Sequence, residues 1–174
     1  MTAKEFQKLV TEDRSDFLDR FLALLRENRI DYCVIDGLAV NAYAEPVVTL
    51  DCDVVVVLAR LPELEKAVRT ICRVERFEHS LNLTDANSKV RIQIQTDEHL
   101  QQMIPRRRKA LVLEREMFVA GPEDLLAAKI AAYRDSTRRR TKREKDRLDI
   151  LRLVETQPQL RPLVPLDLQR ELDL

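Results

Sequence analysis

Residues 34–59 read VIDGLAVNAYAEPVVTLDCDVVVVLA, and the pattern of this stretch decides the fold. Asp51 and Asp53 stand one residue apart at the start of a run of apolar residues, Val54 to Ala59. A run that is apolar at every position predicts a central strand that is covered on both faces. Gly37, one of only two glycines in the chain, precedes the first acid by fourteen residues. Two like charges at the mouth of a buried strand repel each other, so we expect the pair to hold a ligand.

The spacing of the two acids indicates what they hold. Residues i and i+2 of a strand project to the same face, so the two carboxylates point the same way, roughly 6.5–7 Å apart along the backbone. Such oxygen ligands suit Mg²⁺ or Mn²⁺ that also binds substrate phosphates. A glycine that opens a short helix lets backbone N–H groups approach a phosphate closely. The alternatives are strand-edge capping or ion pairing for the acids, and a tight strand-to-helix turn for Gly37.

Hydrophobic periodicity places this site in a mixed α/β, or α+β, fold. The predicted elements are helices at 16–27, 37–44, 61–73, 98–104, 122–134 and 143–155, strands at 31–36 and 52–58, a hairpin of 74–84 with 88–96, and an extended segment at 111–120. The pattern predicts a small mixed sheet flanked by helices, with a core at 1–120 and a helical C-terminal part at 121–174 packed on it as one globular unit. Two distant glycines cannot build a Gly-rich dinucleotide loop or a P-loop.

Basic residues are concentrated in the second half of the chain, although the net charge is zero. Residues 106–152 contain 15 Lys and Arg against 8 Asp and Glu, a local excess of +7. The densest segment is RDSTRRRTKREKDR at 134–147. It is either a solvated face or a contact for a phosphate-rich partner. Since the segment has no aromatic residue, base stacking is not expected there.

The combination of motifs resembles the nucleotidyltransferase superfamily, the DNA polymerase β-like group. It is most similar to the small prokaryotic branch that contains minimal nucleotidyltransferases and AbiEii-type toxins. In that branch a Gly-Gly or Gly-Ser turn and a Leu-Ala-Val-x-Ala segment precede Thr-x-Asp-x-Asp. The matching segments here are DG at 36–37, LAVNA at 38–42, TLDCD at 49–53, PEDLLAAKIAA at 122–132 and RRRTKREKDRLDI at 138–150. The resemblance runs from about residue 17 to residue 155.

The resemblance implies an enzyme that moves a nucleoside monophosphate from an NTP to a hydroxyl of RNA or protein, with Mg²⁺ or Mn²⁺ as cofactor. It implies catalytic and metal-binding roles for Asp51 and Asp53. The implied nucleotide-binding residues are Asp36, Gly37, Leu38 and Lys129, and the implied acceptor-binding residues are Arg138, Arg139, Arg140 and Lys142.

Two departures from the family pattern support a competing hypothesis. Asp36 stands where the first glycine of the pair is expected, which places a carboxylate beside the phosphates. The position of the third carboxylate is occupied by Gln93, whose amide can bind a metal through oxygen but cannot act as a base. The competing hypothesis is a catalytically degenerate binding protein, such as a toxin–antitoxin-like component or a nucleic-acid-binding module. Lys129 also has an alternative role, as an ion-pair partner of Asp146 or Asp149.

The cysteines and the apolar runs indicate the cellular compartment. The three cysteines have no metal-site spacing and are expected to be reduced, mostly buried thiols of a cytoplasmic protein. The N-terminus lacks a long apolar segment, and the longest apolar run is too short to span a bilayer, so no membrane partner is expected.

Overall fold

The computed structural model describes residues 1–174, and its centre is a seven-stranded mixed sheet. The strands are β1 (Tyr32–Ile35), β2 (Asp51–Val56), β3 (Arg73–Arg76), β4 (Ser80–Thr84), β5 (Arg91–Gln95), β6 (Arg108–Val112) and β7 (Arg115–Val119). They lie side by side in the order β3-β4-β5-β2-β1-β7-β6. Strand β2 runs antiparallel to β1 and parallel to β5. The predicted central position of the strand that carries the two acids is therefore confirmed.

Seven α-helices flank the sheet. They are α1 (Ala3–Val10), α2 (Phe17–Glu27), α3 (Asp36–Val40), α4 (Leu61–Val68), α5 (Pro122–Arg134), α6 (Arg140–Thr156) and α7 (Leu166–Glu171), with short 3₁₀ turns at Leu58–Arg60, Glu98–Met103 and Pro158–Leu163. The mixed α/β class agrees with the prediction. None of the helices has both the length and the apolar composition that crossing a bilayer requires.

The apolar run of β2 explains its central position. Val54, Val55 and Val56 are completely buried, although successive residues of a strand point to opposite faces. A strand that buries both faces must have neighbours on both sides and layers above and below it. The core around it is one cluster of 42 buried residues that includes Phe17 near the N-terminus and Leu172 near the C-terminus.

The sheet has more strands than the sequence patterns indicate, because two segments fold back on themselves. Residues 74–84 were expected to form one arm of a hairpin, but they contribute to both β3 and β4, which pair antiparallel. Residues 111–120 were expected to be simply extended, but they belong to the β6–β7 hairpin. Its turn uses Leu113 and Glu114 with positive φ angles of 47° and 62°. Tight hairpin turns of this kind usually contain Asn-Gly or Asp-Gly, so the sequence carried no turn signal here.

Candidate functional site

Asp51 and Asp53 face a polar cavity of about 500 Å³ above the sheet. Strand β5 completes the floor, since Arg91 pairs with Asp51 and Gln93 pairs with Asp53 in the sheet register. The polar and charged residues that line the cavity are Asp36, Asp51, Asp53, Glu75, Asn82, Thr84, Arg91, Gln93, Gln95, Arg138 and Lys142. The structure thus places the two acids of the central strand together on an accessible face, as their spacing predicted.

Asp51 is the more exposed acid of the pair. Its carboxylate forms an ion pair with the Arg91 guanidinium at 2.7 Å, and its side chain is 39% exposed. Its backbone N–H donates a hydrogen bond to Oγ1 of Thr49 at 3.2 Å. Because the Arg91 side chain is itself 62% exposed, the pair is solvent-screened and contributes little to stability. Arg91 can therefore move away from Asp51 at small cost when a cation or phosphate enters.

Asp53 is largely enclosed, and its environment favours the protonated form. Its Oδ1 accepts a hydrogen bond from Nε2 of Gln95 at 3.0 Å. Burial, followed by the nearby carboxylate of Asp36, raises the pKa of Asp53 to about 6, although the hydrogen bond from Gln95 opposes this change. The carboxyl group therefore ionises near pH 6 and not near its ordinary pKa, and a bound cation would favour the ionised form.

The start of α3 brings Asp36 and Gly37 beside the acid pair. Asp36 follows Ile35, which pairs with Asp53, and it has a left-handed φ of 59°. Gly37 has no positive φ, so the unusual backbone conformation falls on Asp36 instead. A Cβ added to Gly37 would meet only Oδ2 of Asp149, at 4.0 Å, so the space over the glycine is open. Leu38 is 2% exposed, so only its backbone can face a ligand.

Lys129 occupies the centre of a buried ionic cluster. Its side chain is 6% exposed, and Nζ lies 3.1 Å from Asp146 and 2.8 Å from Asp149. It also donates a hydrogen bond to Asp36. Burial alone would lower the pKa of Lys129, but Asp36 and Asp149 more than offset that effect, so the pKa is raised and the ammonium stays charged. Of the two roles considered for Lys129, ion pairing with Asp146 and Asp149 is the one that the structure displays.

Two arginines extend the Lys129 cluster. Arg138 pairs with Asp146 and Arg152 pairs with Asp149, each at 2.7 Å. The cluster thus balances three carboxylates with three cations and ties α3, α5 and α6 together. This arrangement fixes the start of α6, with its basic residues, beside the cavity.

Strand β5 carries no acid on the cavity face. Gln93 stands directly opposite Asp53, and its Nε2 donates a hydrogen bond to Oγ of Ser80 at 3.1 Å. Asp97 lies beyond the end of β5 and approaches Nδ1 of His79 at 3.3 Å, outside the cavity. No group of three or more His, Cys, Asp or Glu side chains is arranged as a metal-binding set.

The structure divides the basic segment into residues that line the site and residues that do not. Arg138 and Lys142 line the cavity, whereas Arg139 and Arg140 do not. A smaller space of about 80 Å³ adjoins the cavity next to Gly37, and it is lined by Lys145 as well as by Lys142. Lys145 belongs to the family motif at 138–150 but was not among the predicted site residues. Its position facing Gly37 depends on the packing of α6, which the local sequence does not reveal.

Comparison with known proteins gives a match at the level of the fold. No family model matches the chain, and no curated protein sequence matches it. The solved structure of the antibiotic-resistance factor ANT(2'')-Ia superimposes with a TM-score of 0.60 and 18% identity, covering 85% of this chain and 89% of that one. The lincosamide antibiotic adenylyltransferase LnuA, bound to lincomycin, gives a TM-score of 0.59 and 10% identity, covering 80% and 97%. An antigenic nucleotidyltransferase-like protein from Paracoccidioides brasiliensis gives a TM-score of 0.54 and 19% identity, covering 81% of this chain and 77% of that one.

The chain therefore has the fold of the nucleotidyltransferases. At the level of the fold the comparisons support the resemblance that the motifs indicated, but they do not confirm the AbiEii-like branch.

Proposed function

We propose that this protein transfers a nucleoside monophosphate from an NTP to an acceptor hydroxyl, with Asp51 and Asp53 as the catalytic and metal-binding residues. The observation that carries the proposal is the position of these two carboxylates. They lie on one face of the central strand, on the floor of a polar cavity, within a nucleotidyltransferase fold. Like charges so placed raise each other's electrostatic energy unless a cation joins them.

The donor set fits a divalent metal ion. The carboxylate oxygens of Asp51 and Asp53 are hard ligands of the kind that Mg²⁺ and Mn²⁺ prefer. Water and phosphate oxygens would complete the coordination of the ion, as is usual for Mg²⁺. A bound divalent ion would neutralise phosphate charge and orient the reacting groups.

The nucleotide phosphates would bind on the other side of the acid pair. The open space over Gly37 admits a phosphate, with backbone N–H groups near Leu38 available as donors. Lys142 and Lys145 bring two ammonium groups to the same space. Lys129 and Asp36 would act indirectly, since their mutual ion pair holds α5 against the turn.

Thermal melting in the presence of metal and nucleotide tests this proposal. Mg²⁺ or Mn²⁺ together with an NTP should stabilise the folded state by about 2–3 kcal/mol at a hundredfold excess over Kd. For a chain of this length, that corresponds to a rise in Tm of roughly 5–10 °C. Label from an α-³²P-NTP should then be transferred to an acceptor.

The double variant Asp51→Asn/Asp53→Asn should fold and lose both the Tm rise and the transfer of label. Asp97→Asn is the matched control, because Asp97 lies outside the cavity, and it should behave like the parent. If millimolar metal and nucleotide do not change the Tm of the parent protein, the catalytic proposal is ruled out.

A second candidate is a binding protein that keeps the fold without catalysis. It is favoured by Gln93 at the position of the third acid and by the contact of Asp36 with Lys129 beside the glycine turn. In this form the chain would resemble the AbiEii-like branch as one component of a toxin–antitoxin-like pair, or bind RNA or a partner protein through the basic segment. The three cysteines are free thiols, which supports a cytoplasmic location for either candidate.

For either candidate we propose that residues 1–120 form the core and that residues 121–174 form a helical part packed on it.

The nucleic-acid form of this candidate predicts a strong salt dependence. If Arg138, Arg139 and Arg140 contact phosphates, affinity for a single-stranded RNA should fall steeply with salt. Replacing all three by Ala should reduce the slope of log K against log salt by roughly two to three. Titrations at several salt concentrations measure this slope. If neither salt nor the triple substitution changes the affinity for RNA, the basic segment is only a solvated face.

A further inference from the structure

The cavity floor continues beyond the acid pair across three more strands. Asp53 pairs with Gln93 on β5, which in turn pairs with Asn82 on β4. Asn82 pairs with Glu75 on β3. Directly opposed residues share one face of a sheet, so Gln93, Asn82 and Glu75 form a polar row that starts at Asp53. Because neighbouring strands are about 4.8 Å apart, the row ends roughly 14 Å from Asp53.

The amides of the polar row have unused hydrogen-bonding groups. Gln93 donates through Nε2 to Oγ of Ser80, and its Oε1 accepts nothing from the protein. Asn82 accepts through Oδ1 from the same hydroxyl at 3.4 Å, and its Nδ2 donates to no protein group. If either amide were rotated, one donor or acceptor would still remain free. A free donor beside a free acceptor matches a hydroxyl group, which both donates and accepts.

The far end of the polar row is anionic but not strongly so. The Glu75 carboxylate pairs with Arg73 at 2.6 Å, and both side chains are half exposed or more. The second carboxylate oxygen of Glu75 is available to a ligand. A neutral hydroxyl or an ammonium group can therefore bind there, whereas a phosphate would be repelled.

The cavity is poorly suited to a flat nucleobase or an apolar molecule. The two hydrophobic residues at its floor, Leu83 and Ile92, are completely buried. No aromatic ring lines it, so a nucleobase could stack only on the guanidinium groups of Arg91 and Arg138, which are paired with Asp51 and Asp146. An apolar acceptor would cover the free amide groups without replacing their hydrogen bonds to water, which is unfavourable.

From this geometry we propose that the acceptor is a small polyhydroxylated molecule of saccharide type, whose ring hydroxyls bind the polar row formed by Gln93, Asn82 and Glu75. This inference rests on the proposed nucleotidyl transfer. One acceptor hydroxyl would reach the acid pair while the rest of the molecule extends over β4 and β3. Its oxygen bonds to the α-phosphorus of the NTP, the bond from that phosphorus to the β-phosphate oxygen breaks, pyrophosphate leaves and the hydroxyl proton passes to water.

The test offers the full-length protein three kinds of acceptor with Mg²⁺ and each α-³²P-NTP. They are the neutral sugars glucose and trehalose, the cationic sugar glucosamine, and a single-stranded RNA. Label is expected on at least one sugar, and the neutral and cationic sugars distinguish hydroxyl from ammonium recognition at Glu75. The unmodified form of whichever sugar accepts label should also bind to the metal-free protein in a calorimetric titration.

Substitutions in the polar row then test the site itself. Asn82→Leu removes the amide at nearly constant size and should raise the KM for the sugar, and its calorimetric Kd, about tenfold. The KM for the NTP should stay unchanged. Glu78→Gln is the matched control, since Glu78 is 87% exposed in the β3–β4 turn and outside the cavity, and it should change neither value.

The failure of this inference is distinguishable from failure of the proposed function. If metal and NTP raise Tm but label reaches only RNA, or no sugar binds or accepts label, the acceptor class is wrong. An unchanged sugar KM and Kd in folded Asn82→Leu would exclude the polar row as the binding site. If metal and NTP leave Tm unchanged, the proposed function fails and this inference fails with it.

Discussion

Lys129→Met is expected to lower the free energy of unfolding by about 3–5 kcal/mol at pH 7. Lys129 is 6% exposed and lies against three carboxylates, those of Asp36, Asp146 and Asp149. Methionine fills a similar volume but leaves those carboxylates with one cation fewer, and those of Asp146 and Asp149 are largely buried. Because the pKa of Lys129 is raised, its ammonium contributes to stability at every pH below about 10, and the loss is present throughout the neutral range.

The same variant should recover part of its stability in acid. Protonation neutralises carboxylates that have lost their cation, so the difference from the parent should narrow as pH falls from 7 to 5. Urea unfolding at several pH values measures this difference. Lys66→Met is the control, because Lys66 is exposed on α4, and it should change stability by less than about 0.5 kcal/mol. A loss for Lys129→Met no larger than the control's would mean that the cluster does not support the fold.

The centre of the fold could be predicted from the sequence because its signals are local. The apolar run after Asp53 required burial on both faces, and only a central strand provides this. The i and i+2 spacing of Asp51 and Asp53 fixed their common face without any knowledge of the neighbouring strands.

The predicted pairing of 74–84 with 88–96 is confirmed by β4 and β5, but the β3–β4 and β6–β7 hairpins could not be predicted, because their turns lack the expected residues. Leu113 and Glu114 adopt left-handed conformations that glycine or asparagine normally supplies. The same applies to the site, where the left-handed φ falls on Asp36 and not on Gly37. Tertiary contacts offset the free-energy cost of a left-handed backbone, and the ion pair between Asp36 and Lys129 is one such contact.

The surroundings of the acid pair depend on the sheet register, which links residues far apart in the chain. Arg91 pairs with Asp51 only because β5 lies parallel to β2 with this alignment. Asn82 and Glu75 join the cavity only through two further strand pairings. Local hydrophobic periodicity specifies which face of each strand is buried, but it does not specify which strands are neighbours. The polar row was therefore missed.

The enclosed carboxyl group of Asp53 reduces the stability of the fold at neutral pH. Asp53 keeps its carboxyl group in a place where burial and Asp36 oppose ionisation. In the unfolded chain the same carboxyl group ionises near its ordinary pKa of about 3.9. Between pH 4 and pH 6 the unfolded state therefore gives up this proton more readily than the folded state, so stability falls as pH rises through this window.

Asp53→Asn is accordingly expected to stabilise the metal-free protein by about 3 kcal/mol at pH 7, an increase in Tm of roughly 6–12 °C. The asparagine keeps the shape and the contact with Gln95 but cannot ionise. Its advantage should be absent near pH 4, grow as pH approaches the folded-state pKa of Asp53, about 6, and stay constant above it. Urea unfolding from pH 4 to pH 8 measures the profile, with Asp97→Asn as the control that should follow the parent. A stability difference that does not vary with pH would show that folding does not raise the pKa of Asp53.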